Sequence, residues 1–229
     1  MSRRPRGIFI AGTDTGVGKT RIASALIRAL ASEGVKVAAM KPVAAGAEST
    51  PEGLRNADAI DLAAAANVDA PYGIVNPFCA PLPASPHIAA REAGISVDLA
   101  EIRRCFAELA KRADVVIVEG AGGWLAPISD GETMADVAVA LDLPVFLVVG
   151  LRLGCLNHAL LTAQALHSQA LPLAGWIANH VQPRFERAHE NIATLQQRLA
   201  GPLLEVVSFD GAAFQTQEAR ARVKAVLRL

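Results

Sequence analysis

The segment Gly12-Thr13-Asp14-Thr15-Gly16-Val17-Gly18-Lys19-Thr20 follows the apolar run Ile8-Phe9-Ile10-Ala11 and precedes an alanine- and leucine-rich stretch. Strand, glycine-bearing turn and helix N-terminus, in that order, are the grammar of a phosphate-binding loop. Glycines let backbone N–H groups close around phosphate oxygens, and the helix dipole adds positive potential there. Lys19 would reach the β- and γ-phosphates of a nucleotide, and the Thr20 hydroxyl would hold Mg2+. The spacing is irregular at one point. The position five residues before Gly18 is Thr13, and the glycine stands one earlier, at Gly12. The competing reading is a glycine-rich turn that binds nothing. The coincidence of strand, Gly-Lys-Thr and helix weighs against it.

Four further residues could do chemistry. Glu119 closes the hydrophobic run Val115-Val116-Ile117-Val118. An acid there helps hold Mg2+ in phosphate-loop enzymes, although it is more often Asp; otherwise it is an exposed strand-end carboxylate. Asp58 is a candidate second metal carboxylate, while Asn56-Ala57-Asp58 also reads as ordinary helix capping. Lys41, before Pro42, ends another apolar run. It either neutralises a transferred phosphoryl group or an anionic acceptor, or is a solvated strand-end lysine. Asn179 either meets an adenine ring with its donor and acceptor or initiates the turn before Pro183. His87, His158 and His180 are not spaced as metal ligands, and Cys155 reads as a small buried residue.

The pattern of elements places these groups together. A helix carries Ile22, Leu26, Ile27 and Leu30 and stops near Gly34. Strands are expected over 35–40, 115–119, 144–150, 173–179 and 203–207. The stretch 43–55 reads as a loop, and a short helix follows over 60–66. The five prolines between Pro71 and Pro86 predict a rigid folded loop. Ser85 with Pro86 starts a helix, Asp98 or Ser96 caps the next, 133–141 is helical, and Asn157 caps another. Helices over 186–199 and 215–227 complete the chain. Strands alternating with helices predict an α/β fold of the phosphate-loop NTPase type. Its central sheet is mainly parallel and covered by helices on both faces, in one domain spanning 1–229. Right-handed crossovers then bring Gly12, Lys41, Glu119, Gly150 and Asn179 to one sheet edge, where such folds bind ligands.

Composition narrows the classes. The chain has 229 residues, with Lys+Arg and Asp+Glu both 22, so the formal net charge is zero. That argues against general affinity for nucleic acid or an anionic membrane, a local patch aside. Aromatic residues make up 4%, which disfavours stacking on single strands. Cys79, Cys105 and Cys155 give neither a zinc spacing nor a disulfide framework. Arg3, Arg4 and Arg6 run straight into the phosphate loop, unlike a signal peptide. No apolar run reaches the ~18 residues of a membrane span. A cytoplasmic protein is expected.

Together these segments resemble the dethiobiotin synthetase family, ATP-dependent carboxylases of biotin biosynthesis. The resemblance is carried by the loop 12–20, Lys41-Pro42-Val43, the segment 50–56, Ser85-Pro86-His87, the run 118–124 ending in Glu119-Gly120-Ala121-Gly122-Gly123-Trp124, the segments 148–151 and 153–159, and Gly175-Trp176-Ile177-Ala178-Asn179. The phosphate loop alone is generic. The lysine-proline strand end, the Glu-Gly-Ala-Gly-Gly turn and Leu-Gly-Cys-Leu-Asn-His in this order are specific.

The resemblance implies a reaction in which an amine of 7,8-diaminononanoate captures CO2 (supplied as bicarbonate) as a carbamate. ATP phosphorylates it, and the neighbouring amine closes a cyclic urea. It implies Lys41 and Lys19 as catalytic, and Thr20, Asp58 and Glu119 as Mg2+ ligands. Nucleotide contacts implied are Gly16, Val17, Gly18, Lys19, Thr20, Arg21, Asp58, Glu119, Gly120, Ala121, Gly122, Asn179 and His180, with Ser208, Phe209 and Asp210 in the turn over the purine. Substrate contacts implied are Thr15, Ala45 and Gly122, with Leu156 and Asn157 contributed across a homodimer interface. The sequence departs from the family at Gly16, where Glu is frequent, and at Ala45, where many relatives place a substrate-contacting serine. The Ile-Pro-aromatic-Leu turn is replaced by Val207-Ser208-Phe209-Asp210.

Two other classes compete. A partitioning or division-site nucleotide switch, binding DNA or membrane, carries a second lysine early in its phosphate loop, where this chain has Asp14. An amide-forming enzyme of cobalamin synthesis normally carries an added glutamine-hydrolysing domain, for which 229 residues leave no room.

Overall fold

The structure is a computed structural model that describes residues 7–229; Arg3, Arg4 and Arg6 lie outside the described residues. Six strands form one sheet: β1 (Gly7–Gly12), β2 (Val37–Met40), β7 (Val115–Glu119), β8 (Val145–Leu151), β9 (Leu173–His180) and β10 (Leu203–Val207). Their spatial order is β10-β9-β8-β1-β7-β2, and every neighbouring pair is parallel. Strands β1, β2, β7 and β8 are buried at every position, as a parallel sheet covered on both faces requires.

The period-two alternation divides their side chains between two cores. Ile8, Ile10, Ile117, Phe146 and Val148 pack with α1 (Lys19–Ser32), α2 (Ala57–Ala65) and α9 (Gln217–Leu227). Phe9, Val116, Val118, Leu147 and Trp176 pack on the other face with α5 (Leu99–Arg112), α6 (Met134–Leu141), α7 (Cys155–Ser168) and α8 (Ala188–Arg198). Helix α5 shows why these segments are helical. Ile102, Cys105 and Leu109 recur at spacings of three and four and are fully buried, while Asp98 caps the first turn. Burying each of the two aliphatic side chains contributes about 2 kcal/mol.

Three expectations are corrected. The stretch 43–55 is not a plain loop. It contains β3 (Val43–Ala45) and the antiparallel hairpin β4 (Glu48–Thr50) and β5 (Gly53–Arg55). The proline-rich stretch likewise contains a single-turn helix α3 (Tyr72–Val75) and β6 (Phe78–Ala80), which pairs parallel with β3 outside the main sheet. The prolines flank these three- and four-residue elements rather than interrupting them. Asn157 does not cap α7: the helix begins two residues earlier, at Cys155, behind Gly154 at φ 94°. Ser85 does precede α4 (Pro86–Glu92), but its hydroxyl lies 3.1 Å from the His87 ring and makes no capping bond. Among the described residues no helix is long and apolar enough to cross a membrane.

Candidate active site

The order β8-β1-β7-β2 sets the ends of four parallel strands side by side. The loop leaving β1 therefore faces Gly150 on one side and Glu119 and Lys41 on the other. Thr13, the residue that breaks the usual glycine spacing, anchors the loop to β8. Its N–H donates to the Val148 carbonyl at 3.0 Å. Gly16 sits at the exposed crest with φ 73°, and a Cβ there would meet nothing within 4 Å. Gly18 begins α1 at φ 90°, a left-handed conformation that L side chains rarely adopt, and a Cβ there would lie 2.4 Å from Asn179 Nδ2.

Lys19 folds back over the loop. Its ammonium donates to the carbonyls of Gly122 at 2.7 Å and Asp14 at 3.0 Å. Burial, then repulsion from Lys41, pushes its pKa down to about 8. Asp14 pairs with Arg152 beyond the end of β8, a partner that no local pattern signals. The hydrogen bond from the Thr15 N–H, then Arg152, holds the Asp14 carboxyl below its ordinary range.

Across the floor lie the acids. Lys41 Nζ is 2.6 Å from Glu119 Oε1 and 2.9 Å from Asp58 Oδ2, and Thr20 Oγ1 donates to the same Glu119 oxygen at 2.9 Å. Burial alone would lower the Lys41 pKa, but Glu119 and then Asp58 outweigh it and raise it. Burial would raise Asp58, and Lys41 outweighs that and lowers it. Asp58 therefore does more than sit in a capped first turn: Asn56 caps α2, accepting from the Ala59 N–H at 3.3 Å, and leaves Asp58 facing Lys41.

The oxygens here fit a hard divalent cation. Glu119 Oε2 is buried without a partner, Glu119 Oε1 and Asp58 Oδ2 converge on the Lys41 ammonium, and the Thr20 hydroxyl sits on Glu119 Oε1. Among the described residues no cluster of three His, Cys, Asp or Glu side chains could hold a metal alone. A cation here would complete its shell with nucleotide oxygens and water, as Mg2+ commonly does.

Above these groups opens a cavity of about 740 Å³. Thr15, Gly16, Gly18, Lys19, Thr20, Lys41, Ala45, Asp58, Glu119, Ala121 and Gly122 all line it. So do Asn56 and the small apolar wall formed by Ala44, Pro83, Ala84, Pro86 and Ala126. Apart from Pro86, in the segment Ser85-Pro86-His87, the wall was not signalled by any motif, because its residues contribute shape rather than functional groups. Val17 is buried behind the loop. Gly120 is closed in by Phe9 and Met134, whose atoms would lie 3.0 and 3.1 Å from a Cβ.

The remaining sequence candidates lie elsewhere. Asn179 is buried behind the loop. Its amide donates to the Val17 carbonyl at 2.8 Å, and its Oδ1 has no partner. His180 follows at the end of β9, opposite Leu151. Arg21 points to the turn 208–211, where its guanidinium donates to the carbonyls of Phe209 and Ser208, both at 2.8 Å, and of Gly211. Ser208, Phe209 and Asp210 are thus tied to α1, although none lines the cavity. Leu156 and Asn157 lie in the first turn of α7, also off the cavity wall.

A family described as an AAA domain matches residues 6–210. A protein of Xanthomonas oryzae pv. oryzae called ATP-dependent dethiobiotin synthetase BioD is 50% identical over 199 residues, covering 87% of this chain and 89% of that one. The protein of the same name from Nitrosospira multiformis is 50% identical over 205 residues, covering 90% and 89%. Among solved structures, the MinC:MinD cell division complex of Aquifex aeolicus superposes with TM-score 0.57 at 16% identity, covering 95% of this chain and 86% of that one. The septum site-determining protein MinD of Pyrococcus horikoshii gives 0.53 at 18%, covering 96% and 94%. At such identities the structural likeness shows the phosphate-loop NTPase fold and nothing further.

Proposed function

The chain belongs to the ATP-dependent dethiobiotin synthetase family, and on that premise we propose that it carboxylates and cyclises 7,8-diaminononanoate with CO2 and ATP, giving dethiobiotin, ADP and phosphate. Members of that family are ligases forming a C–N bond with ATP in biotin biosynthesis. The observation that carries the reading is the placing of two lysines, Lys19 and Lys41, on one cavity with the phosphate loop at one end and a small apolar wall at the other. A nucleotide-only switch needs no such extension.

In this reading one amine of the substrate forms a carbamate with CO2. The carbamate oxygen attacks the γ-phosphorus, the β–γ bond breaks, and ADP leaves. The second amine then attacks the carbonyl carbon of the mixed anhydride, phosphate departs, and the cyclic urea is complete. The carbamate is already anionic, so no general base is needed for its attack. Lys19 supports the charge on the transferred phosphoryl group. Lys41 holds the carbamate in line with it, and the loop N–H groups of Gly16 to Thr20 cradle the phosphates. Thr20, Asp58 and Glu119 would hold Mg2+, which supplies charge neutralisation between the β- and γ-phosphates when bound. Ala44, Ala45 and Pro83 to Pro86 suit an aliphatic chain. Asn179, His180 and the turn 208–210, fixed by Arg21, flank the base. Gly120 and Ala121, which follow Glu119 at the end of β7, contact the nucleotide in this reading. Thr15, Ala45 and Gly122 face the substrate.

Assembly as a homodimer is part of the same reading. Its support is the apolar surface beside Leu156 and Asn157, where Leu153 is 92% and Leu161 56% exposed. Each protomer is read as one domain acting in the cytoplasm, without nucleic acid or membrane.

The test supplies diaminononanoate, labelled bicarbonate and MgATP and measures acid-stable label together with ADP. Label appearing in proportion to ADP is the expected result. ATP turnover indifferent to both diamine and bicarbonate would overturn the reading.

A further inference from the structure

Lys41 and Asp58 face each other from segments that share no regular hydrogen bonding. Lys41 immediately follows β2 of the main sheet, whereas Asp58 stands in the first turn of α2, after an exposed hairpin. One side chain reaches the backbone roots of both. The Tyr72 hydroxyl accepts from the Asn56 N–H at 2.7 Å and donates to Asn76 Oδ1 at 3.0 Å. Asn76, 3% exposed, passes the connection on: its Nδ2 donates to the Lys41 carbonyl at 2.6 Å. The Tyr72 ring is itself held from outside, with the Arg55 guanidinium carbon 4.2 Å from its centroid.

We propose that Tyr72 is a positioning residue for the reaction, acting with Asn76 to fix the distance between Lys41 and Asp58. The inference rests on the roles assigned to those two residues above. The hydroxyl touches neither ion-pair partner and does not line the main cavity, so its contribution runs through geometry alone. The hydrogen bonds to Asn56 and Asn76 run in opposite senses, one accepted and one donated. No apolar replacement reproduces both, and removal leaves Asn76 Oδ1, on a buried residue, without its tyrosine partner. A phenyl ring in its place keeps the packing and the Arg55 contact but releases the start of α2 from the end of β2. Displacements well under 1 Å matter for a group that must hold an oxygen in line with a phosphorus.

The experiment compares the parent enzyme with Tyr72→Phe in two measurements. The first is steady-state product formation with ATP binding measured separately. The expected result is a kcat lowered about tenfold, with the ATP Kd within twofold of the parent. The second is trace acetylation with acetic anhydride followed by mass spectrometry, which reads the ammonium positions without requiring turnover. The expected result is Lys41 labelled at least fivefold faster in the variant, with Lys19 unchanged. General loosening of the fold would raise both lysines together and would overturn the proposal. A kcat within twofold of the parent, or a lower kcat with Lys41 labelling unchanged, would also overturn it. A parent enzyme that makes no product would instead defeat the functional reading, and the labelling ratio would still decide whether Tyr72 fixes Lys41.

Discussion

The Lys41 ammonium lies 2.6 Å from Glu119 Oε1 in a pair whose side chains are 4% and 0% exposed. Water cannot screen this pair from either side, so each charge depends on the other for its place in the interior. Asp58, at 46% exposed, is the outer partner of the cluster, and all three residues line the cavity.

Lys41→Met therefore has two consequences. Product formation should fall by about 10²–10³-fold, the scale for losing one group that stabilises developing charge. ATP should still bind, as equilibrium dialysis would show. The variant should also lose about 3–5 kcal/mol of stability in urea unfolding, because the Glu119 carboxylate remains buried with only Thr20 as a partner. Unchanged product formation would remove Lys41 from its role.

Gly18→Ala tests the loop. At φ 90°, with Asn179 Nδ2 2.4 Å from the new methyl carbon, the substitution strains the backbone and displaces the amide that holds Val17. A stability loss of about 1–3 kcal/mol is expected. ATP affinity, read by isothermal titration, should fall by more than about tenfold, since the loop N–H groups no longer converge.

Arg21→Ala should separate binding from chemistry. The guanidinium holds the carbonyl groups of Ser208, Phe209 and Gly211, so its removal frees that turn and leaves the phosphate loop untouched. The KM for ATP should rise about five- to tenfold while kcat stays within about twofold. Amide hydrogen exchange over residues 208–213 should accelerate. Exchange unchanged from the parent would show that the turn is held by other contacts.

Glu33 gives a pH-dependent prediction. Hydrogen bonds from Lys224 and then Arg220 hold its carboxyl below the ordinary carboxylate value of 4.5 and tie α1 to α9. A folded-state pKa below the unfolded one adds stability above the unfolded value, and that stability is lost as pH falls through the folded pKa. Glu33→Gln should lower Tm at pH 7, and the gap from the parent should close as pH falls through the depressed folded-state pKa. A gap independent of pH would assign the effect to packing.

The legible parts of this fold are those where a strong local pattern and the tertiary structure agree. Val115 to Val118 and Val145 to Val149 are continuous apolar runs because both faces of a parallel strand are covered, so burial and sequence point the same way. Lys41 and Glu119 could be placed on one edge because parallel topology alone dictates it. What escaped was set by long-range pairing. Val43 to Ala45 and Phe78 to Ala80 are three-residue strands that exist because each pairs with the other, and no window that short shows a period. Arg152 and Tyr72 were silent for the same reason: their partners, Asp14, Asn56 and Asn76, lie in other segments. The start of α7 was misplaced because Gly154, at φ 94°, permits an entry that an Asn cap would otherwise supply.

The central position of β1 bears on how the molecule assembles. Phe9 pairs with Val118 on one side and Val145 on the other, so β1 is enclosed only by strands that come far later in the chain. Both neighbours are synthesised long after β1, and closing such long loops precedes any reward from contact. The nascent chain therefore carries Ile8 to Ala11 as an uncovered apolar segment until β7 and β8 arrive, a window in which chaperone capture competes with folding.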